Sequence, residues 1–265
     1  VKAAVGPADA FIDYVQRLYN CAIEYGSGNP NQLVMEFIRS IKYANWQWEG
    51  LIGGIDKSFK SFAESRGFSV MQEFQDPFTG YTLGADHLMA TANGHFLVPQ
   101  PENTKAVNAG DIAGWGGDLL TFYRDWRDAA ASYSSGYTFC MDKLAQPNVP
   151  TSFGFSDLVE DADGYLIAGK VRGGVDIVRA VREHYVGGGG IKRFSRYYAQ
   201  RFVDAETCNS LARNILTAAT DPKVVAAQIG LTMGQPLPTT LPYSKLQEFV
   251  NGFADTLLAR VGMES

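Results

Sequence analysis

Apolar side chains recur at helical spacing along most of this chain, and the early break in that rhythm, residues 68–84, most constrains the fold. Phe11, Val15, Leu18 and Ala22 define one stripe, so Pro7 to about Tyr25 reads as an amphipathic helix with proline in its first turn and Gly26 as its stop. Asn29-Pro30-Asn31-Gln32 supplies a cap, an N1 proline and a capping-box glutamine for a second helix, with Leu33, Phe37, Ile41 and Ala44 facing inward. A third stripe, Leu51, Ile55, Phe59 and Phe62, ends before Gly67 and leaves Glu64 in its last turn. Phe68 to Leu83 then loses the period, and its Asp76-Pro77 and Thr79-Gly80 pairs predict a short β hairpin or an irregular β excursion.

Helical patterning returns from Ala85 to Asn93, where Asn93-Gly94 reads as a left-handed stop. Residues 98–110 read as a surface loop, and Asp111 as the cap of a helix with Trp115, Leu119, Phe122 and Trp126 on one stripe. Ser132 to Pro150 is loop-rich with one short helical piece near Cys140. Helical patterns follow at 156–168, 175–186, 191–203, 205–219, 222–233 and 244–261. Gly187 to Gly190 reads as a hinge or tight connection, and Pro236 to Pro242 as a linker. The expected fold is mostly α, formally α+β, with 1–265 as one domain: N-terminal helices 1–67, a β excursion 68–84 and a helical lobe 85–265. With 46% hydrophobic residues, the chain can fill one full-sized core.

The net charge of −5 argues against a nucleic-acid partner, since no extended basic face is available. The densest cationic cluster, Lys192, Arg193, Arg196 and Arg201, is interleaved with Phe194, Tyr197, Tyr198 and Phe202 and reads as the solvated face of an amphipathic helix. Cys21, Cys140 and Cys208 give neither a disulfide framework nor a metal-ligand spacing. No apolar run reaches membrane-spanning length, and Val1-Lys-Ala-Ala-Val lacks the apolar core of a signal peptide.

The residues around the break carry the chemistry. Hydrolysis of a glycosidic bond needs a carboxyl group that stays protonated and a second carboxylate that holds water or stabilises positive charge. Glu64, beside Phe59 and Phe62 and ahead of Phe68, is the expected acid, with partial desolvation raising its proton affinity. Asp76, in a turn with backbone donors nearby, is the expected ionised partner, and Thr82 and His87 follow closely enough to fold back toward the same cleft.

Asp76-x5-Thr82-Leu83-Gly84-x2-His87-Leu88 resembles the signature of the phage-type lysozymes, in which Asp is followed after five residues by Thr-Ile-Gly-x-Gly-His. Counted from Glu64 to Leu88, the resemblance covers about a tenth of the chain. It implies a lysozyme-like helical domain with a β hairpin inserted after the third helix. It further implies Glu64 as general acid, Asp76 positioning the attacking water, Thr82 assisting it and His87 buttressing the hairpin. Asp86 stands where the family pattern has its second glycine, which adds a charge beside the site. Eleven residues separate Glu64 from Asp76, a longer spacing than the family pattern. The expected activity is cleavage of peptidoglycan or a related amino-sugar polymer without a cofactor. Such an enzyme acts on the cell wall as a secreted, phage-released or injected protein, and a cognate inhibitor protein is an expected partner.

A second window, Asp111 to Leu119, offers Trp115 as a sugar-stacking ring and Asp118 as a hydroxyl ligand or substitute second carboxylate, with Tyr81 as a further substrate contact. The bland alternative there is a glycine-lined helix crossing in which Asp118 pairs with a buried arginine. Asp157 to Gly164 suggests a calcium loop, but with Gly164 at the sixth position the first and twelfth ligands would be Val159 and Lys170. A Ser156-capped helix start enriched in acids accounts for the run instead. His87 and His95 lie eight residues apart, which is not an i, i+4 zinc pair, so no metal is expected. The rival catalyst is a cysteine amidase or peptidase using Cys140, just ahead of a short helix, with His87 as base. A non-catalytic helical module binding carbohydrate or protein through the Trp115 region is the third reading.

Overall fold

The computed structural model describes residues 6–43, 55–69, 71–97, 114, 125–126, 128–129, 132–144, 155–193, 196–197, 248 and 251. It is mostly helical with one small sheet. In chain order the elements are β1 (Gly6–Pro7), α1 (Ala8–Tyr25), α2 (Pro30–Tyr43), α3 (Lys57–Ser65), β2 (Glu73–Gln75), β3 (Thr82–Gly84) and α4 (Ala85–Leu97). They continue with α5 (Gly136–Leu144), α6 (Phe155–Arg172) and α7 (Ile177–Tyr185).

The helix signals work as the sequence indicates at several ends. Gly26 adopts φ +72° at the end of α1, a conformation glycine enters without a Cβ penalty. Asn29 caps α2 through Oδ1, accepting the Asn31 and Gln32 N–H groups at 2.9 and 3.4 Å. Gln32 does not close a capping box; its amide turns forward and donates to Glu36 at 2.7 Å. The third helix starts later than its apolar stripe suggests, because Asp56 caps it by accepting the Phe59 N–H. Gly67, at φ +82°, ends it as expected.

The hairpin falls inside the predicted excursion. β2 and β3 are antiparallel, with Glu73 opposite Gly84, Phe74 opposite Leu83 and Gln75 opposite Thr82. Only Phe74 and Leu83 of these face inward, the alternation expected of a strand pair packed on one side. Gly6 and Pro7 add a parallel edge that no periodicity announces in two residues. Beneath the sheet the Phe11 and Phe74 rings stack with centroids 4.2 Å apart, and Tyr185 meets both edge-on. The hairpin is thereby fixed to α1 and α7.

α4 is buried on every face and packs between α2 and α6. Its Asn93-Gly94 pair is not a stop: the helix runs on to Leu97, since enclosure on all sides holds the backbone helical where local propensity would release it. α6 meets α4 so closely that a Cβ on Gly164 would lie 2.9 Å from the Leu88 carbonyl oxygen. That glycine serves a helix crossing, not a calcium loop. Ser156 lies inside α6 instead of capping it. Cys140 sits mid-helix in α5, fully buried, and not ahead of a helix. Among the described residues no helix is long and apolar enough to cross a membrane.

Candidate functional site

The β3–α4 junction and the acidic stretch of α6 face one another, and between them lies a cleft of about 250 Å³. Glu73, Thr82, Gly84, Asp86, Asp157 and Glu160 contribute to its walls. Most of these side chains are polar and four are acids, so the cleft favours a polar or cationic occupant.

Glu160 forms its inner wall. The residue is 3% exposed, and its Oε1 accepts the Gly84 N–H at 2.6 Å. Oε2 lies 3.5 Å from His87 Nδ1, and Asp157 Oδ1 is 3.9 Å from the same nitrogen. Burial pushes the Glu160 carboxyl well above its ordinary range; His87 works against this, while Asp157 and Asp86 add to it. Gly84 makes this approach feasible, because a Cβ there would meet Asp86 Oδ1 at 3.0 Å and Glu160 Oε2 at 3.5 Å.

His87 is held from behind. Its Nε2 lies 3.1 Å from Oδ1 of Asp161, which is fully buried and also accepts the Thr91 hydroxyl at 3.2 Å. Burial raises the Asp161 carboxyl, with His87 opposing. Asp161 Oδ1 is accommodated by Gly114, whose missing side chain would otherwise collide with it. The glycine thus admits a side-chain carboxylate, where the sequence suggested the approach of another backbone or a ligand.

A second buried network lies under the hairpin. Arg193 donates to Asp76 through Nη1 at 3.2 Å and Nη2 at 2.5 Å, and through Nη1 to Asp163 Oδ2 at 3.2 Å. Asp163 also faces His184 Nε2 at 2.6 Å and accepts the Tyr185 hydroxyl at 2.9 Å. Asp76 accepts the Phe78 N–H at 3.4 Å and the Thr79 hydroxyl, closing the turn whose Gly80 sits at φ +74°. Burial alone would raise the Asp76 carboxyl, but Arg193 and Thr79 outweigh it and hold it below the usual range.

The predicted residues therefore divide. Thr82 and Asp86 line the cleft and His87 is part of its wall chemistry. Asp76 is buried with donors on both oxygens, so it anchors the hairpin and has no oxygen left to hold a water. Glu64 is not desolvated: Phe59 and Ala63 turn inward, whereas the Glu64 side chain is 52% exposed, with Lys60 at 4.0 Å. No hydrogen bond or ion pair joins Glu64 to Asp76 among the described residues. Tyr81 is exposed on the hairpin. Trp115 and Asp118 lie outside the described residues, as do the loop 98–110 and, apart from 248 and 251, the patterns beyond 203. Cys140 is enclosed and burial pushes its thiol well up, which removes the thiolate that a cysteine nucleophile needs. Arg193, expected on a solvated face, is buried instead.

Sequence reasoning singled out the 157–164 run that holds Glu160, Asp161 and Asp163, but read it as the acid-rich start of a Ser156-capped helix. The available signal was their interleaving with Leu158, Val159, Ala162 and Ile167, which leaves α6 no purely polar face.

Comparison with known proteins places much of this site inside a matched region. A protein of Bacillus subtilis (strain 168), named "Uncharacterized protein YkzU", is 29% identical over 123 residues, covering 45% of this chain and 70% of that protein. No solved structure matches. The family described as "YkzU uncharacterised protein" matches residues 89–264, a stretch that includes Asp157, Glu160, Asp161, Asp163 and Arg193 but begins just after His87. Because that match spans well over half of the chain, the chain belongs to the YkzU family.

Proposed function

We propose that the chain is a glycoside hydrolase that cuts peptidoglycan or a related amino-sugar polymer, with its reacting groups in the α6 cleft. The observation that carries this reading is the pairing of a buried Glu160, one oxygen of which is engaged by the Gly84 N–H, with the half-buried Asp157 beside it. Glu160 acts as proton donor, its environment favouring the protonated form. Asp157 is the second carboxylate, with Thr82 at the same cleft and Asp86 reinforcing the proton affinity of Glu160. The exposed Tyr81 supplies a ring for sugar stacking. The site of action is the cell wall, and a cognate inhibitor would occupy this cleft.

Incubation of the purified chain with cell walls should release soluble muropeptides with new reducing ends. Glu160→Gln should lower the rate by at least about 100-fold while the far-ultraviolet circular dichroism stays unchanged. Retained activity in Glu160→Gln, with loss in Glu64→Gln, would return the donor role to the end of α3. Absence of any new reducing end would remove the assignment.

A further inference from the structure

We infer that His87, Asp157 and Glu160 form a binding site for a divalent transition-metal cation, of the Zn²⁺ or Mn²⁺ type. One donor atom from each residue lies within 4.8 Å of the others. Two of the edges, Nδ1 of His87 to Glu160 Oε2 and to Asp157 Oδ1, measure 3.5 and 3.9 Å. Donors held about 2.1 Å from one ion stand roughly 3.0–3.4 Å apart in tetrahedral or octahedral geometry, so only small side-chain movements close the set.

Two further observations distinguish this from an acidic patch. Glu160 is 3% exposed and lines the cleft, with Oε1 taking the Gly84 N–H at 2.6 Å and Oε2 facing His87 Nδ1 at 3.5 Å. A carboxylate so far removed from water and set against an imidazole nitrogen gains from a cation held between them. His87 is also prepared as a ligand. Asp161 engages its Nε2 at 3.1 Å, which directs the Nδ1 lone pair toward Asp157 and Glu160 when the hydrogen resides on Nε2. A carboxylate behind a ligating imidazole is the usual support of a metal-bound histidine. One nitrogen and two carboxylate oxygens suit Zn²⁺ or Mn²⁺ better than the all-oxygen preference of Ca²⁺ or Mg²⁺.

The site stands apart from the hydrolase reading, but its consequence rests on that reading. Oε2 of Glu160 cannot hold a cation and deliver a proton together, so a bound cation blocks the proposed donor.

The full chain, stripped with EDTA, is titrated with Zn²⁺ or Mn²⁺ by calorimetry at pH 7.5. One equivalent should bind, with affinity reduced at least about 100-fold in His87→Ala and Glu160→Gln, and by roughly 10–100-fold in Asp161→Asn. Glu183→Gln, on the exposed side of α7, should bind as the unmodified chain does. Pulsed electron paramagnetic resonance on the Mn²⁺ complex should show one coordinated imidazole nitrogen, a readout that holds even where His87→Ala fails to fold. Absence of saturable binding, absence of nitrogen coupling, or full affinity in Glu160→Gln overturns the site. Cation binding without any cell-wall cleavage retains the site and rejects the hydrolase; cleavage that saturating Zn²⁺ leaves untouched rejects the blocking role.

Discussion

Arg193 reaches two buried carboxylates, Asp76 at the hairpin turn and Asp163 on α6, and is itself nearly enclosed. Removing the guanidinium leaves both acids without it in a desolvated pocket, which breaks buried ion pairs at about 3–5 kcal/mol. Arg193→Met should therefore lower the free energy of unfolding in urea by that order at pH 7. Asp76 gives the network a definite pH dependence. Its carboxyl is held below the unfolded value of about 3.9. The native state is then the stronger acid, so this contribution is complete above the unfolded value and fades as pH falls through the depressed one. Urea midpoints for the unmodified chain should drop below about pH 4, and Asp76→Asn should flatten that slope. None of this network is legible from residue type alone. Charge counting assigns Arg193 to solvent and Asp163 to a helix dipole, because the partners lie 117 and 30 residues from Arg193 along the chain.

The crossing of α4 on α6 sets the distance between His87 and Glu160, and two glycines of α6 separate contact from propensity. At Gly164 a Cβ would press the Leu88 carbonyl oxygen at 2.9 Å and the Thr91 side chain at 2.9 Å. Gly164→Ala should push the helices apart and destabilise the fold by about 1–3 kcal/mol, as overpacking does. At Gly169 a Cβ meets nothing within 4 Å, so Gly169→Ala should stabilise by about 0.5–1 kcal/mol through the helix preference of alanine. Thermal unfolding of the two variants should shift in opposite directions. Element boundaries with a local cause, such as Gly26, Asn29 and Gly67, were open to sequence reasoning. Boundaries decided by enclosure were not: Asn93-Gly94 has the composition of a stop, yet packing on all sides carries α4 past it. The acids of α6 were read as an ordinary helix-start run for the same reason, since their inward direction depends on a hairpin and a helix far away in sequence.

At the scale of the whole chain, the family match begins at residue 89, whereas His87, Asp86, Thr82 and Asp76 precede it. The cleft is therefore shared between two stretches, with acids from α6 on one side and their hydrogen-bond partners from the hairpin and α4 on the other. Without residues 1–88, Glu160 would lose the Gly84 N–H, Asp161 would lose His87, and Arg193 would lose Asp76. The inner faces of α6 and α7 would also lose Phe11, Phe74 and Leu83. Uncovered apolar surface and unmatched buried acids act in the same direction. A fragment of residues 89–265 should unfold without a cooperative transition in urea and should bind 8-anilinonaphthalene-1-sulfonate strongly, while the full chain shows a single transition and weak dye binding. A sharp, two-state transition in the fragment would mean that α6 and α7 find another cover, and that the hairpin and the first turn of α4 contribute the cleft without being required for the fold.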